Sequence, residues 1–202
     1  MLDLSLFDHL AVILSYPTPQ LLRHVEAVCE DDRLSTESVQ DIRTFADYAR
    51  RTTSTEVEEH YTHSFDLNPS CCLEIGWHLY GEEYERGAFL VNMRQTLREE
   101  QIPETGELPD HLSYCLRLLP RLKPDEAVRF ARGFLQPALG KILGAMTAEN
   151  PYTGVLLVTA ELLKQRYGAV EEEVTERKNI LELPVLNNRL HYHNTEDADG
   201  RF

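Results

Sequence analysis

The sequence predicts an all-α fold, a single-domain bundle of about eight or nine helices, and three observations carry that expectation. Apolar residues recur at three- and four-residue spacing along most of the chain, and no stretch alternates with the two-residue period of a half-exposed strand. The interruptions fall at proline, glycine or a residue suited to capping a helix. The 202 residues, 42% of them apolar, suit one core, and nothing repeats at the 20–50-residue period of a helical solenoid.

Leu6, Leu10, Ile13 and Leu14 make the first apolar face, which ends at Tyr16 because Pro17 disfavours helical backbone in the residue before it. Thr18 is expected to cap a second helix that has Pro19 at its first position and buries Leu21, Leu22, Val25, Val28 and Cys29. A third helix runs from near Ser35 to about Arg51, with Val39, Ile42, Phe45, Ala46 and Ala49 inward. Thr53 and Glu56 have the offset of a capping box and start a fourth, with Val57, Tyr61 and Phe65 on one side.

Asn68 and Pro69 close that helix and open a fifth of about three turns, through Leu73, Trp77 and Tyr80 to Gly81. A sixth spans about 82–100. Pro103, Gly106 and Pro109 make 101–109 a loop, after which Leu112, Cys115, Leu116, Leu119 and Leu122 mark another helix. Pro124, Asp125 and Glu126 form a proper helix start, and Pro137 further along is expected to kink that helix. Asn150 and Pro151 open the last core helix, which turns Val155, Val158, Thr159, Leu162 and Leu163 inward and ends near Gly168. The helical domain therefore covers 1–168, and 169–202 is an acidic, partly mobile extension.

A net charge of −14 disfavours nucleic acid and anionic membranes and favours a basic partner. Cys29, Cys71, Cys72 and Cys115 form no regular disulfide or CxxC pattern, so reduced thiols are expected. The start of the chain lacks an export signal, and no segment approaches the ~20 apolar residues of a membrane span, which together predict a cytoplasmic protein.

Walker A, GxSxG, HExxH and GxGxxG signatures are all missing, so an enzyme is not expected. His60 and His63, three apart with Asp66 nearby, offer the rival reading of a metal-dependent helical enzyme. As that triad is equally explained by surface charge, no metal and no cofactor are expected. A helical adaptor for an unrelated partner is the other alternative.

Two clusters stand out. Tyr61, Phe65, Asp66, Trp77, His78 and Tyr80 gather aromatic and polar groups within twenty residues. Further along come Glu107, Leu108, Pro109, Asp110, His111 and Leu112, with Asp110 placed to cap the next helix and His111 in its first turn.

At these clusters the sequence resembles the delta-subunit chaperones of respiratory nitrate reductase, the NarJ type within the TorD/DmsD/NarJ superfamily. Tyr61, Phe65 and Asp66 are similar to an aromatic-xxx-Phe-Asp signature. His78 to Glu82 with Arg86, Gly87 and Ala88 resemble a helix, glycine turn and Arg-Gly segment, and 107–112 resemble a Glu-Leu-Pro-Asp-His-Leu motif. Leu14 to Pro17 is similar too, so the likeness covers about 4–165, with Ser113 standing where relatives carry a second proline.

The resemblance implies a chaperone that binds the N-terminal segment of a molybdenum- and iron–sulfur-containing catalytic subunit. It would assist cofactor insertion before membrane attachment or export, as a monomer or weak dimer outside the finished enzyme. Tyr61, Phe65, Asp66, Trp77, Tyr80, Glu107, Pro109, Asp110 and His111 are the expected peptide-binding residues.

Overall fold

The computed structural model describes residues 5–170, and within them the chain is helical apart from its connections and one isolated antiparallel bridge, Glu74 with His111. The helices are α1 (Leu6–Ile13), α2 (Leu21–Cys29), α3 (Thr36–Arg51), α4 (Ser54–Tyr61), α5 (Ile75–Tyr80), α6 (Tyr84–Glu99), α7 (Leu112–Leu118), α8 (Pro124–Phe130), α9 (Gln136–Ala145) and α10 (Thr153–Tyr167). A π turn at Thr62–Asp66 continues α4, and another at Ala131–Leu135 joins α8 to α9. Counting each continuous rod once leaves nine among the described residues, as the spacing of apolar residues predicts. The expected extension lies outside the described residues beyond Val170.

Local chemistry accounts for most starts. Ser5 with Asp8 and Thr53 with Glu56 form complete capping boxes, and Ser35 accepts the Ser38 N–H at the head of α3. Pro124 occupies the first turn of α8, where its missing N–H costs nothing. Gly81 ends α5 at φ 59°, a left-handed conformation that glycine adopts without strain.

Three expectations change. Helix α2 begins at Leu21, and Thr18 supplies only its carbonyl, which accepts the Leu21 N–H at 2.9 Å across a Pro19–Gln20 turn. Helix α5 begins at Ile75 instead of Pro69, because the preceding backbone is drawn into pairing with the 107–112 segment. Helix α7 is capped by His111, not Asp110. Just before Pro137, where a kink is expected, the chain widens into the Ala131–Leu135 π turn, with Gln136 N–H bonded to Ala131 O.

The core is continuous. Helix α3 packs on α2 and α10, α1 on α2 and α7, α9 on α10, and α5 bridges α6 and α9. Its largest members form an aromatic knot. Tyr152 lies 4.9 Å from Phe45, 5.1 Å from Phe65 and 5.8 Å from Tyr61 between ring centroids. Such pairs each contribute about 0.5–1.5 kcal/mol beyond simple area burial. Tyr61 and Phe65, four apart, reach it from the same face of α4 and its π turn.

Candidate functional site

Residues 107–112 lie antiparallel against 73–75. Ile75 N–H donates to Asp110 O at 3.0 Å, Leu112 N–H donates to Leu73 O at 2.8 Å, and Glu74 faces His111 between them. This two-sided clasp brings the two sequence clusters together. Pro109, Asp110 and His111 are thereby buried, while Glu107 stays half-buried and Leu108 exposed.

Asp110 acts at a distance. Its Oδ2 accepts the Gly76 N–H at 2.9 Å, an amide in the first turn of α5, so it caps a helix 34 residues earlier in the chain instead of the one it precedes. Burial pushes its carboxyl up to about 6, opposed by the Gly76 hydrogen bond and by the Arg86 charge. Asp110 Oδ1 and Arg86 Nε are buried without hydrogen-bond partners. Arg86 instead lies over the Trp77 ring, 5.3 Å from its centroid, and the Trp77 indole N–H donates to Pro69 O at 2.9 Å.

His111 stands immediately before α7. As the cap itself, its Nδ1 accepts the Ser113 N–H at 3.3 Å and the Ser113 hydroxyl at 2.8 Å. Two donors on Nδ1 assign the neutral tautomer with hydrogen on Nε2, which faces the Tyr61 hydroxyl at 3.4 Å. Tyr61 in turn donates to Leu14 O at 3.3 Å. Burial lowers the imidazole pKa to about 4, so this relay from α7 through α4 to the end of α1 stands in its uncharged form near neutrality.

The expected site residues therefore divide by depth. Tyr61, Phe65, Pro109, Asp110 and His111 lie inside, Trp77, Tyr80 and Glu107 are half-buried, and Asp66 is exposed with its carboxylate on the Thr62 hydroxyl at 3.0 Å. Desolvation raises the Glu107 carboxyl, with Asp66 and Glu74 adding like charge. Burial likewise pushes Tyr80 up to about 12.

Glu74, Tyr16 and Leu67 are not among the expected peptide-binding residues. Tyr16 packs edge-on against Tyr61 at 5.7 Å with its hydroxyl 3.4 Å from Glu58, and Leu67 is 66% exposed beside Asp66. The signals for Tyr16 are its place before a proline at a helix end and within the Leu14–Pro17 stretch that resembles the family. Glu74 had none, since its place depends on a partner strand far along the chain.

The His60 region is arranged otherwise than a metal centre requires. His60 stacks on Tyr48 and its Nδ1 lies 2.5 Å from the Tyr48 hydroxyl, while Asp66 is held by Thr62. His60 and His63 do share the wall of a cleft of about 330 Å³ with Asn68, Cys71, Met146 and Asn150. Among the described residues, no three His, Cys, Asp or Glu side chains are grouped closely enough to hold a metal ion. All four cysteines are free thiols, and none of the described helices is long and apolar enough to cross a membrane.

The fold and clasp define a helical protein built around a Leu-Pro-Asp-His segment locked onto a short helix. The chain belongs to the family described as Nitrate reductase delta subunit, whose sequence profile matches residues 31–143, more than half of its length. It is also similar to the Nitrate reductase molybdenum cofactor assembly chaperone NarJ of Escherichia coli strains K12 and O157:H7. Identity to each is 26% over 121 residues, covering 57% of this chain and 51% of the relative. The chain thus spans about half the length of the curated relatives it matches.

Proposed function

We propose that this protein is a cytoplasmic assembly chaperone for a molybdenum- and iron–sulfur-containing reductase of the nitrate reductase class, and has no catalytic role of its own. It holds the N-terminal segment of the catalytic subunit while cofactor is inserted, before membrane attachment or export, and leaves the finished enzyme. Family membership and the name carried by the similar Escherichia coli proteins support the chaperone reading.

The observation that carries the peptide reading is an acid-edged apolar surface over the clasp. Tyr16, Leu67 and Leu108 are 45%, 66% and 42% exposed, beside Glu58, Asp66 and Glu107. An amphipathic segment with basic residues finds apolar anchors there and a surrounding potential of opposite sign. Asp66 and Glu107 edge this surface, and half-buried Trp77 and Tyr80 are assigned to the peptide contact with them. Tyr61, Phe65, Pro109, Asp110 and His111 fix the shape beneath it.

Affinity purification of the protein from its native host tests the chaperone, with a molybdoenzyme catalytic subunit expected to co-purify. Recovery of none would overturn the reading. Calorimetry with a synthetic peptide from that subunit's N-terminus then tests the surface. Asp66→Lys with Glu107→Lys is expected to weaken binding at least tenfold, and unchanged affinity would remove the surface from the proposal.

A further inference from the structure

Helix α6 packs chiefly against α5 and turns its other side outward. The inner face buries Phe89, Met93 and Leu97, and Phe89 stacks on Phe134 at 5.5 Å. On the outer face Tyr84 is 90% exposed and Val91 is 65% exposed. The two share one stripe, because seven residues make nearly two full turns. Between them lies exposed Gly87, with nothing within 4 Å of where a Cβ would stand. A glycine inside a helix is destabilising relative to alanine, and no neighbour in the described chain requires this one. Bare backbone on an apolar stripe suits close approach by a second surface.

Charge is arranged along the same stripe. Counted from Glu83, which leads into the helix, Arg94 falls about 20° around the axis and Arg98 about 60°. All three therefore edge one flank, acid at the start and base near the end. Glu99 falls about 160° from Glu83, on the other flank. Arg94 and Arg98 reach Glu104 through Nε at 2.9 and 3.7 Å, and a guanidinium carries further donors beyond Nε.

Such a stripe complements a copy of itself in one orientation. Laid parallel, acid meets acid and base meets base. Turned end for end about a two-fold axis, each flank runs against the same flank reversed, so Glu83 meets the partner's Arg98 and Arg98 meets the partner's Glu83. With the axis at Val91, Tyr84 comes level with the partner's Arg98, in reach of a cation–π contact. Gly87 then leaves room for the apolar stem of the partner's Arg94.

We propose that α6 is the contact of an antiparallel, two-fold dimer of this chain. A strip of about 24 by 10 Å from each copy buries on the order of 500 Å² in total, well below the ~1,200 Å² of stable complexes. A net charge of −14 on each copy adds repulsion. The dimer is therefore weak and reversible, with a dissociation constant on the order of 100 µM. It shares no residue with the acid-edged surface over the clasp and does not depend on the client assigned there.

Sedimentation equilibrium on the full-length protein tests the dimer. The average mass is expected to climb from 23.3 kDa toward twice that value as concentration passes ~100 µM. Val91→Asp is expected to abolish the rise. Leu157→Asp, which adds the same charge at a 46% exposed leucine of α10, is expected to leave it. Glu83→Arg and Arg98→Glu are each expected to stay monomeric alone and to pair when mixed one to one, since every contact of the mixed dimer then joins unlike charges. A mass of 23.3 kDa at all concentrations up to about 1 mM would overturn the proposal. So would a dimer that survives Val91→Asp, or a mixture that stays monomeric. Weaker binding of a client peptide to Val91→Asp, in a protein that is monomeric throughout, would assign α6 to the client instead.

Discussion

The Asp110 carboxylate accepts the backbone N–H of Gly76 at 2.9 Å, so the residue that looks like a local helix cap caps another helix instead. Short α5, six residues long, has no side-chain cap from its own leading residue Glu74. Two further bonds, Ile75 to Asp110 O and Leu112 to Leu73 O, fasten the same joint. The pair Asp110 and His111 is therefore part of the frame on which any surface residue depends.

Asp110→Ala is expected to destabilise the protein by about 1–2 kcal/mol through loss of the cap. For a domain of this size that lowers Tm by about 2–8 °C. Asp110→Asn keeps an acceptor oxygen in place and is expected to recover most of the loss. Thermal melting of the three proteins at pH 7 checks this, and equal melting of all three would remove the cap from the account.

The relay His111–Tyr61–Leu14 predicts coupling between two residues 50 positions apart. Tyr61→Phe takes the partner from both the Leu14 carbonyl and the His111 Nε2–H, and His111→Gln takes the imidazole from the Tyr61 hydroxyl, each at a cost of about 1–3 kcal/mol. Made together, the substitutions are expected to be less damaging than their sum by about 0.5–3 kcal/mol. Urea titration of the four proteins measures that difference, and strict additivity would show that the 3.4 Å contact carries no energy.

Much of this fold was legible because its signals are local. Ser35, Thr53 with Glu56, and Pro124 mark helix starts through atoms within four residues, and the inward faces of α3 and α10 follow from spacing alone. The clasp was not legible. Whether 69–74 continues a helix is decided by hydrogen bonds to residues more than 30 positions away, and these outweigh the helical spacing of Leu73, Trp77 and Tyr80. Clustering of aromatics drew attention to 61–80 but carried no information on depth. Tyr61 and Phe65 enter the knot around Tyr152, whose contribution no feature near 61–80 announces.

Two glycines separate close approach from mere tolerance. A Cβ at Gly76 would stand 2.7 Å from Asp110 Oδ2 and 3.0 Å from the Phe89 ring, so Gly76→Ala must displace the capping carboxylate. A loss of about 1–3 kcal/mol is expected. Nothing lies within 4 Å of a Cβ at exposed Gly87, the fourth residue of α6, and Gly87→Ala is expected to stabilise by about 0.5–1 kcal/mol. Opposite shifts in urea midpoint confirm the contrast, and shifts of the same sign would refute it.

The joint also predicts an unusual acid response, because its two titrating groups act in opposite directions. His111 falls from the usual 6.5 to about 4 on burial, so its contribution is present above pH 6.5 and is lost as pH drops toward 4. Asp110 rises from 3.8 to about 6 by desolvation, so its contribution is complete below pH 3.8 and is lost as pH climbs through 6. Between pH 6.5 and 4 the two slopes oppose each other and flatten the stability profile of the unaltered protein. Asp110→Asn removes the gain on acidification and keeps the loss, so its stability is expected to fall more steeply over this window. His111→Gln leaves the carboxyl alone, and its stability relative to the unaltered protein is expected to improve as pH falls. Urea unfolding at half-unit steps from pH 7 to 4 reads both slopes, and parallel profiles for the three proteins would show that neither group titrates differently on folding.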